Sequence, residues 1–174
     1  SLTQMQLAQV LNVASGFYQG DAFAFNSYSG RALAAVDKSI AASPGRVPIY
    51  FVKAQIYLTR GDKDKAIETL KYAVSLNEKY PDSYCQLAKV NFFYKNEAEA
   101  FRAMDSCLDL GGAYTLSSLN LVKQLVNYYA EKNDLTRLIK LYERLTGLEP
   151  QSAEIWANLA SLYARAGDKE KARE

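Results

Sequence analysis

Side chains that could do chemistry are few in this chain, because none of its 174 residues is a histidine. Imidazole-dependent mechanisms are therefore excluded, among them Ser-His-Asp and Cys-His nucleophiles, HExxH zinc sites and histidine pH switches. The two cysteines, Cys85 and Cys107, provide neither a disulfide framework nor a paired-cysteine metal motif. The sequence therefore predicts no catalytic residue, no metal site and no cofactor, and it favours an interaction module over an enzyme.

The charge balance and composition exclude further classes of function. The chain has 21 Lys and Arg against 19 Asp and Glu, and a net charge of +2 supplies no basic face for a phosphate backbone. We therefore expect no nucleic-acid partner. The chain also lacks a stretch of roughly 18 apolar residues, so we expect no insertion into a membrane. With 49% apolar residues and few glycines and prolines, it should be globular and rich in regular structure.

A short pattern recurs along the chain and sets its organisation. An aromatic or amide position, a turn pair and a small or aliphatic position repeat together at intervals of 34, 38 and 34 residues. Between the turn pairs, apolar residues are three, four or seven apart, which is the period of a helix and not of a strand. Each unit is therefore predicted to be two helices joined at a turn. The turn pairs are Gly61–Asp62, Lys95–Asn96, Asn133–Asp134 and Gly167–Asp168.

The last unit carries a family resemblance. The run AEIWANLASLYARAGDKEKA, residues 153–172, resembles a tetratricopeptide repeat, with Trp156, Ala160, Tyr163 and Gly167 at pattern positions. Residues 52–76 match almost as well, and the resemblance covers roughly residues 45 to 174. It implies an all-α, right-handed solenoid of antiparallel helix pairs that acts as a non-catalytic protein-interaction scaffold with a protein or peptide partner. It also implies that Trp156 lies in the core.

The repeat register divides the chain into one solenoid over residues 1–174. The full repeats are 47–80, 81–118 and 119–152, and residues 153–174 form a truncated last repeat. Residues 1–46 are interpreted as a divergent first repeat, with helices at Leu2–Phe17 and Arg31–Ala42 and an insertion at Gly20–Gly30. Because the chain starts without methionine and stops within a unit, we interpret it as a fragment of a longer bacterial protein.

The unit that begins near Leu119 departs from the repeat pattern. Three positions that are usually small carry Val126, Leu138 and Leu145, and the unit follows four extra residues around Gly111. Large residues at a close helix contact push the helices apart or change their angle. We therefore predict a distorted joint before this unit.

A second resemblance concerns the parent protein. A helical N-terminus that runs into repeats, with SPGRVPIYFVKAQIYLTRGDKDKAI at the junction, is similar to soluble C-terminal tails of bacterial O-antigen ligase/polymerase-like membrane proteins. It implies an alternative function, the soluble tail of a membrane glycan polymerase or ligase, with a structural or glycan-contacting role. Tyrosines outside the repeat positions are then candidates for stacking on sugars. Compartment and oligomeric state stay open.

In a repeat solenoid of this type the first helix of each unit lines a concave groove. Aromatic anchors beside amides and lysines there fit a peptide, since apolar groups supply burial and polar groups fix register. Two alternatives stay open: Phe92 and Phe93 are partly core, and the amides form a solvated face. The predicted binding residues are Phe51, Gln55, Lys89, Phe92, Phe93, Lys123, Asn127 and Asn158.

Two finer hypotheses concern these positions. Lys123, Asn127 and Asn158 stand where carboxylate-clamp tetratricopeptide domains place a lysine and two asparagines, although the further basic residues of that clamp are not in this chain. Cys107 is predicted to be a buried thiol and Cys85 to face the groove. Because the two cysteines would then point to different sides of their helix pair, we expect no disulfide between them.

Overall fold

The computed structural model describes residues 2–112 and 119–172 of the chain. These residues form nine α-helices and contain no strand, which confirms the all-α class. The helices are α1 (Leu2–Phe17), α2 (Ala22–Ala42), α3 (Val47–Thr59), α4 (Lys63–Leu76), α5 (Pro81–Phe93), α6 (Glu97–Asp109), α7 (Leu119–Glu131), α8 (Leu135–Leu148) and α9 (Ala153–Ala166).

The chain divides into two compact units, Ser1–Gly112 and Ala113–Glu174. In the first unit, α1 packs on α2, α3 on α4 and α5 on α6, and the first helices of successive pairs also contact each other. In the second unit, α7 packs on α8 and α8 on α9. The first unit is thus a stack of three helix pairs, and the second is a helix pair with one further helix packed on it. The single solenoid over residues 1–174 stays a prediction.

The turns within the helix pairs lie where the sequence predicts them. Gly61, Lys95, Asn133 and Gly167 all have positive φ, between 51° and 85°. After each of them, the backbone N–H of the next residue donates to a carbonyl five residues back, which ends the first helix in a left-handed cap. These bonds join Asp62 to Tyr57, Asn96 to Asn91, Asp134 to Tyr129 and Asp168 to Tyr163, each at 2.9 Å. The cap joins the second residue of each turn pair to the aromatic or amide residue five positions earlier. This explains why the two positions recur at the same intervals.

The predicted insertion at Gly20–Gly30 is wrong, because most of this segment is helical. Helix α2 begins at Ala22 instead of Arg31. Asp21 caps it, since its Oδ1 accepts hydrogen bonds from the backbone N–H groups of Phe23 and Ala24, both at 3.0 Å. Gly30 inside the helix costs about 1 kcal/mol relative to alanine. The cap and the buried face of the rest of α2 outweigh that penalty.

The core of the first unit is formed by clusters of small and branched side chains. Ile49 and Ile56 on α3 are fully buried against α1 and α2, and Leu70 on α4 is buried against α3 and α5. Small residues such as Ala54 and Ala66 let these helices approach closely. The first-helix and second-helix stripes predicted from the sequence therefore do form the helix contacts.

The core of the second unit corrects the placement of Trp156. Tyr129, Leu138 and Leu141 fill the contact between α7 and α8, and Leu159 is buried on α9. Trp156 is not in the core, because 47% of its surface is exposed. Its indole N–H donates to the Pro150 carbonyl at 2.9 Å, which holds the ring beside the start of α9.

The large side chains predicted to disturb the unit after Leu119 do lie in a helix contact. Leu138 and Leu145 are buried, and Val126 is half-buried. Two of the four extra residues, those at positions 113 and 114, lie outside the described residues. The distorted joint therefore stays a prediction.

Helix α8 begins at a charged cap, in which the Asp134 carboxylate accepts hydrogen bonds from Arg137. Burial alone would raise the pKa of Asp134, but hydrogen bonds from the Arg137 backbone and guanidinium, at 3.0 and 2.6 Å, outweigh it and lower that pKa. A lowered pKa means that this stabilisation is present above the ordinary aspartate value of about 3.9 and is lost as pH falls through the folded-state value.

We expect Asp134→Ala to lower the free energy of unfolding by about 1 kcal/mol at pH 7, since the cap and its ion pair are lost together. Urea denaturation followed by circular dichroism at pH 7 and pH 3 tests this. Asp168→Ala is the comparison, because it removes the equivalent capping bond from the Lys171 N–H without, among the described residues, an ion pair like that of Asp134 with Arg137, and it should cost less. A loss for Asp134→Ala that is as large at pH 3 as at pH 7 would contradict the role of the charge.

Candidate functional site

The first unit contains a cleft of about 420 Å³ between the first helices α3 and α5. Its floor is formed by Ala54, Leu70 and Val90, which are all buried. Because Ala54 is small, the floor lies below the neighbouring side chains of α3. The cleft is lined by Phe51, Ala54, Gln55, Leu58, Thr59, Leu70, Gln86, Lys89, Val90 and Phe93.

Two phenylalanines stand at the walls of this cleft, which we call the α3–α5 cleft. Phe93 is 76% exposed and touches Tyr94 edge-on, with ring centroids 5.0 Å apart. Phe51 is half-buried and stacks on Tyr80 at 6.2 Å with an interplanar angle of 14°. An exposed aromatic ring beside an apolar floor can close over an apolar side chain of a partner.

The rim of the α3–α5 cleft is polar and carries one cation. Gln55, Gln86 and Lys89 are exposed, with their side chains at the opening. The Thr59 hydroxyl is already used, because it donates to the Gln55 carbonyl at 3.0 Å. No carboxylate of the described residues pairs with Lys89. The ammonium is therefore able to pair with an incoming carboxylate.

The structure brings together four of the eight predicted binding residues, Phe51, Gln55, Lys89 and Phe93, in the α3–α5 cleft. Phe92 points elsewhere: it is half-buried and meets Phe101 of α6 edge-on at 5.0 Å. This confirms the core alternative for Phe92 and not for Phe93.

The remaining three predicted residues belong to the second unit. Asn127 on α7 and Asn158 on α9 are exposed. Lys123 also lies on α7, but its side chain is outside the described residues. The carboxylate-clamp hypothesis, which needs all three, therefore stays a prediction.

The two cysteines correct a prediction of the sequence. Cys85 on α5 and Cys107 on α6 form a disulfide, with Cα atoms 5.1 Å apart, and Cys85 is buried and does not face the groove. The geometry of a helix hairpin explains this. Counted from the turn at Lys95, Cys85 lies ten residues before it and Cys107 twelve residues after it, so the two stand at the same level of antiparallel helices. The disulfide fixes a groove helix to its partner helix.

Gly112 packs directly on this disulfide. A Cβ at this position would lie 2.6 Å from the Cys85 sulfur and 2.9 Å from the Cys107 sulfur. The backbone N–H of Gly112 donates to the Cys107 carbonyl at 2.8 Å, which brings the chain back over the bond after α6. Only glycine leaves enough room for this approach.

A second cleft, of about 580 Å³, lies in the second unit between α8 and α9. Trp156 and Tyr163 line it, and the Tyr163 hydroxyl donates to Glu143 Oε1 at 2.5 Å. Lys171 lies over the Tyr163 ring, 5.3 Å from its centroid. This cleft is aromatic on one side and charged on the other.

Membrane-spanning helices and metal-binding clusters are both absent from the described residues. No helix in the described ranges has the length and apolar character that a bilayer-crossing segment needs. No group of three or more His, Cys, Asp or Glu side chains that could hold a metal ion occurs within the same ranges.

Comparison with known families identifies the repeats. Two family models of the tetratricopeptide repeat match the chain, one at residues 47–80 and one at residues 124–174. These two segments are therefore tetratricopeptide repeats, as the repeat pattern predicts. No curated protein matches the chain. The second resemblance, to tails of O-antigen ligase/polymerase-like proteins, is not borne out by these comparisons.

Solved structures are similar to the chain in fold. A chain of the Naa15/Naa10 complex bound to HypK-THB is similar over 95% of this chain, with 21% identity and a TM-score of 0.56, and this chain spans 24% of that chain's length. BtubC (BKLC) from P. vanneervenii is similar over 99% of this chain and 78% of its own, with 18% identity and a TM-score of 0.50. At these identities the likeness concerns the fold alone.

Proposed function

We propose that this chain is a non-catalytic protein-interaction scaffold whose first unit binds an extended peptide segment in the α3–α5 cleft. One observation carries the proposal: the cleft combines an apolar floor, an exposed aromatic ring and a cation without a carboxylate partner. Repeat folds present such surfaces on their first helices, and tetratricopeptide-repeat proteins are generally scaffolds without catalytic activity.

The lining of the cleft defines the kind of peptide that fits. A leucine- or methionine-sized side chain would fill the floor over Leu70 and Val90 and would be covered by Phe93. A carboxylate one or two residues away, from an acidic side chain or a chain end, would meet Lys89. Gln55 and Gln86 would hydrogen-bond the peptide backbone and fix its direction.

We expect Phe93→Ala and Lys89→Glu each to weaken the binding of such peptides at least tenfold, which corresponds to about 1.4 kcal/mol. The measurement is a selection of short peptides on an array with the wild-type chain, followed by titration of the best binder. Tyr72→Ala and Lys71→Glu are controls, because they change an exposed tyrosine and an exposed lysine on α4 outside the cleft.

Three results of this assay would contradict the proposal. One is that no peptide in the array binds the wild-type chain. Another is that the controls weaken binding as much as the cleft variants do. The third is that the selected peptides share neither an apolar position nor an acidic one. Alanine variants of Asn127 and Asn158, which we include as further candidate contacts together with Lys123, show in the same titration whether the second unit contributes.

A glycan-contacting role is a second candidate, and the exposure of Trp156 favours it. An exposed indole beside polar groups such as Glu143 and Lys171 is a surface on which a sugar ring can stack. Trp156 is the one tryptophan of the chain, so its fluorescence reports on the second cleft alone. A change in emission on titration with oligosaccharides, absent for the cleft-binding peptide, would support the glycan role.

A further inference from the structure

Helix α1 is apolar on two opposite sides, and one of them is exposed. Ala8, Leu11 and Ser15 are buried against α2 and α3. On the other side, Leu7, Val10, Val13 and Phe17 are 45%, 65%, 61% and 82% exposed. We call these four residues the α1 face. Among the described residues of the first unit, α1 packs on α2 and α3 and on no other helix.

A further exposed aromatic ring follows the α1 face in the chain, at the end of the α1–α2 hairpin. The turn after α1 brings the chain back into α2, where Phe23 is 86% exposed. Tyr18 in the same turn stacks on Tyr28 at 5.2 Å and holds this end of the hairpin in place. A cluster of large apolar side chains of this size on a surface marks an interaction site.

The charge pattern decides which occupant fits. The first charged residue of the chain is Asp21, so the whole of α1 carries no charge. A lipid surface is disfavoured, because helices that lie on membranes have lysine and arginine on their polar face. A charged partner surface is also disfavoured, because α1 has no side chain of opposite charge to pair with it. A face without charge, in contrast, meets an identical copy of itself without repulsion, and it loses no charge hydration on burial.

We propose that the α1 face is a homodimer interface, on which a second copy of this chain packs its own α1 face about a two-fold axis. Two-fold contacts use the same patch on both partners, and a straight helix can lie antiparallel on its copy. The exposed parts of the α1 face and Phe23 amount to roughly 600 Å² per protomer, or about 1,200 Å² per dimer, the lower end of specific interfaces. Interfaces at this lower end of the size range are weak ones, so we expect a reversible dimer.

Sedimentation velocity of the 174-residue chain between about 1 and 100 μM tests the proposal. The wild type should pass from monomer to dimer in this range. The variant Val10→Glu, Phe17→Glu should stay monomeric, with a dissociation constant at least tenfold higher. Gln86→Glu, Phe93→Glu, which adds the same two charges at exposed positions of the peptide cleft, should dimerise like the wild type. A monomeric wild type at 100 μM would overturn the proposal.

A second measurement does not depend on charged variants folding well. Val13→Cys places a thiol near the middle of the α1 face and should form a cross-linked dimer under mild oxidation. Lys38→Cys, on an exposed position of α2, is the matched control and should cross-link at least tenfold more slowly. Equal rates for the two variants would overturn the interface. Neither measurement uses a peptide. The dimer proposal can therefore fail while the peptide-binding proposal holds, and the reverse.

Discussion

Replacing both cysteines, as Cys85→Ala and Cys107→Ala, should lower the free energy of unfolding of the chain by about 2–4 kcal/mol. The disulfide joins two residues 22 apart in sequence and closes the α5–α6 hairpin in the unfolded chain as well as in the folded one. Its loss gives the unfolded chain more conformations, and both sulfurs are buried in the native packing. The effect is large because the gain in conformational entropy of the unfolded chain and the loss of buried contacts in the folded chain both favour unfolding.

Urea denaturation followed by circular dichroism measures this effect on three samples. These are the oxidised wild type, the wild type with a phosphine reductant, and the double alanine variant. Reductant should lower the wild-type midpoint and leave the variant unchanged. If the denatured, unreduced wild type reacts with a thiol reagent at two sites, or if reductant leaves its midpoint in place, the disulfide does not stabilise the chain.

Gly112→Ala tests the packing around the same bond. The added Cβ meets both sulfurs and the Cys107 carbonyl at under 3 Å, so it should destabilise the oxidised chain by about 1–3 kcal/mol. In the background of Cys85→Ala and Cys107→Ala the two sulfur clashes are gone, and a smaller loss is expected. A double-mutant cycle gives the coupling between Gly112 and the disulfide.

The disulfide could have been predicted from the sequence by counting from the turn. The turn at Lys95 follows from the repeat register, and positions at similar distances on either side of it face each other in a helix hairpin. Reasoning from the groove positions instead assigned Cys85 to the surface. The helix pair, and not the groove, decides where that side chain points.

Local patterns predicted the turns well and the N-terminal hairpin poorly. Gly61 and Gly167 can adopt positive φ without strain, and the caps at all four turns repeat one hydrogen bond. At the N-terminus, Gly20 and Gly30 suggested a loop, but a glycine inside a helix costs only about 1 kcal/mol. The Asp21 cap and the packing of α2 on α1 outweigh this cost. Packing between helices cannot be predicted from a local sequence pattern.

The candidate cleft was predictable in part. Helix periodicity places Phe51, Gln55, Lys89 and Phe93 on the exposed side of first helices, and these residues do line the cleft. The floor residue Leu70 belongs to a second helix, so a rule that considers first helices alone omits it. Phe92 and Phe93 are adjacent in sequence, and the contact of Phe92 with Phe101 is what separates their roles.

Ile49→Ala should destabilise the chain by about 2–5 kcal/mol, far more than Trp156→Ala, which should cost about 1–2 kcal/mol. Ile49 is completely buried in a cluster with Ala8, Leu11 and Val36, so its truncation leaves a cavity between α1, α2 and α3. Trp156 is about half exposed and loses one hydrogen bond to the Pro150 carbonyl. The larger side chain therefore has the smaller effect.

Chemical denaturation followed by circular dichroism compares the two variants, since fluorescence is lost with Trp156. Ile49→Val is the control for cavity size and should cost about 1 kcal/mol, because it removes a single methyl group. A loss above about 3 kcal/mol for Trp156→Ala would indicate that the indole is buried in the core. The exposed second cleft would then be contradicted. A loss below about 1 kcal/mol for Ile49→Ala would mean that α1 and α2 are not packed on α3, and the α1 face would then have no rigid helix to present.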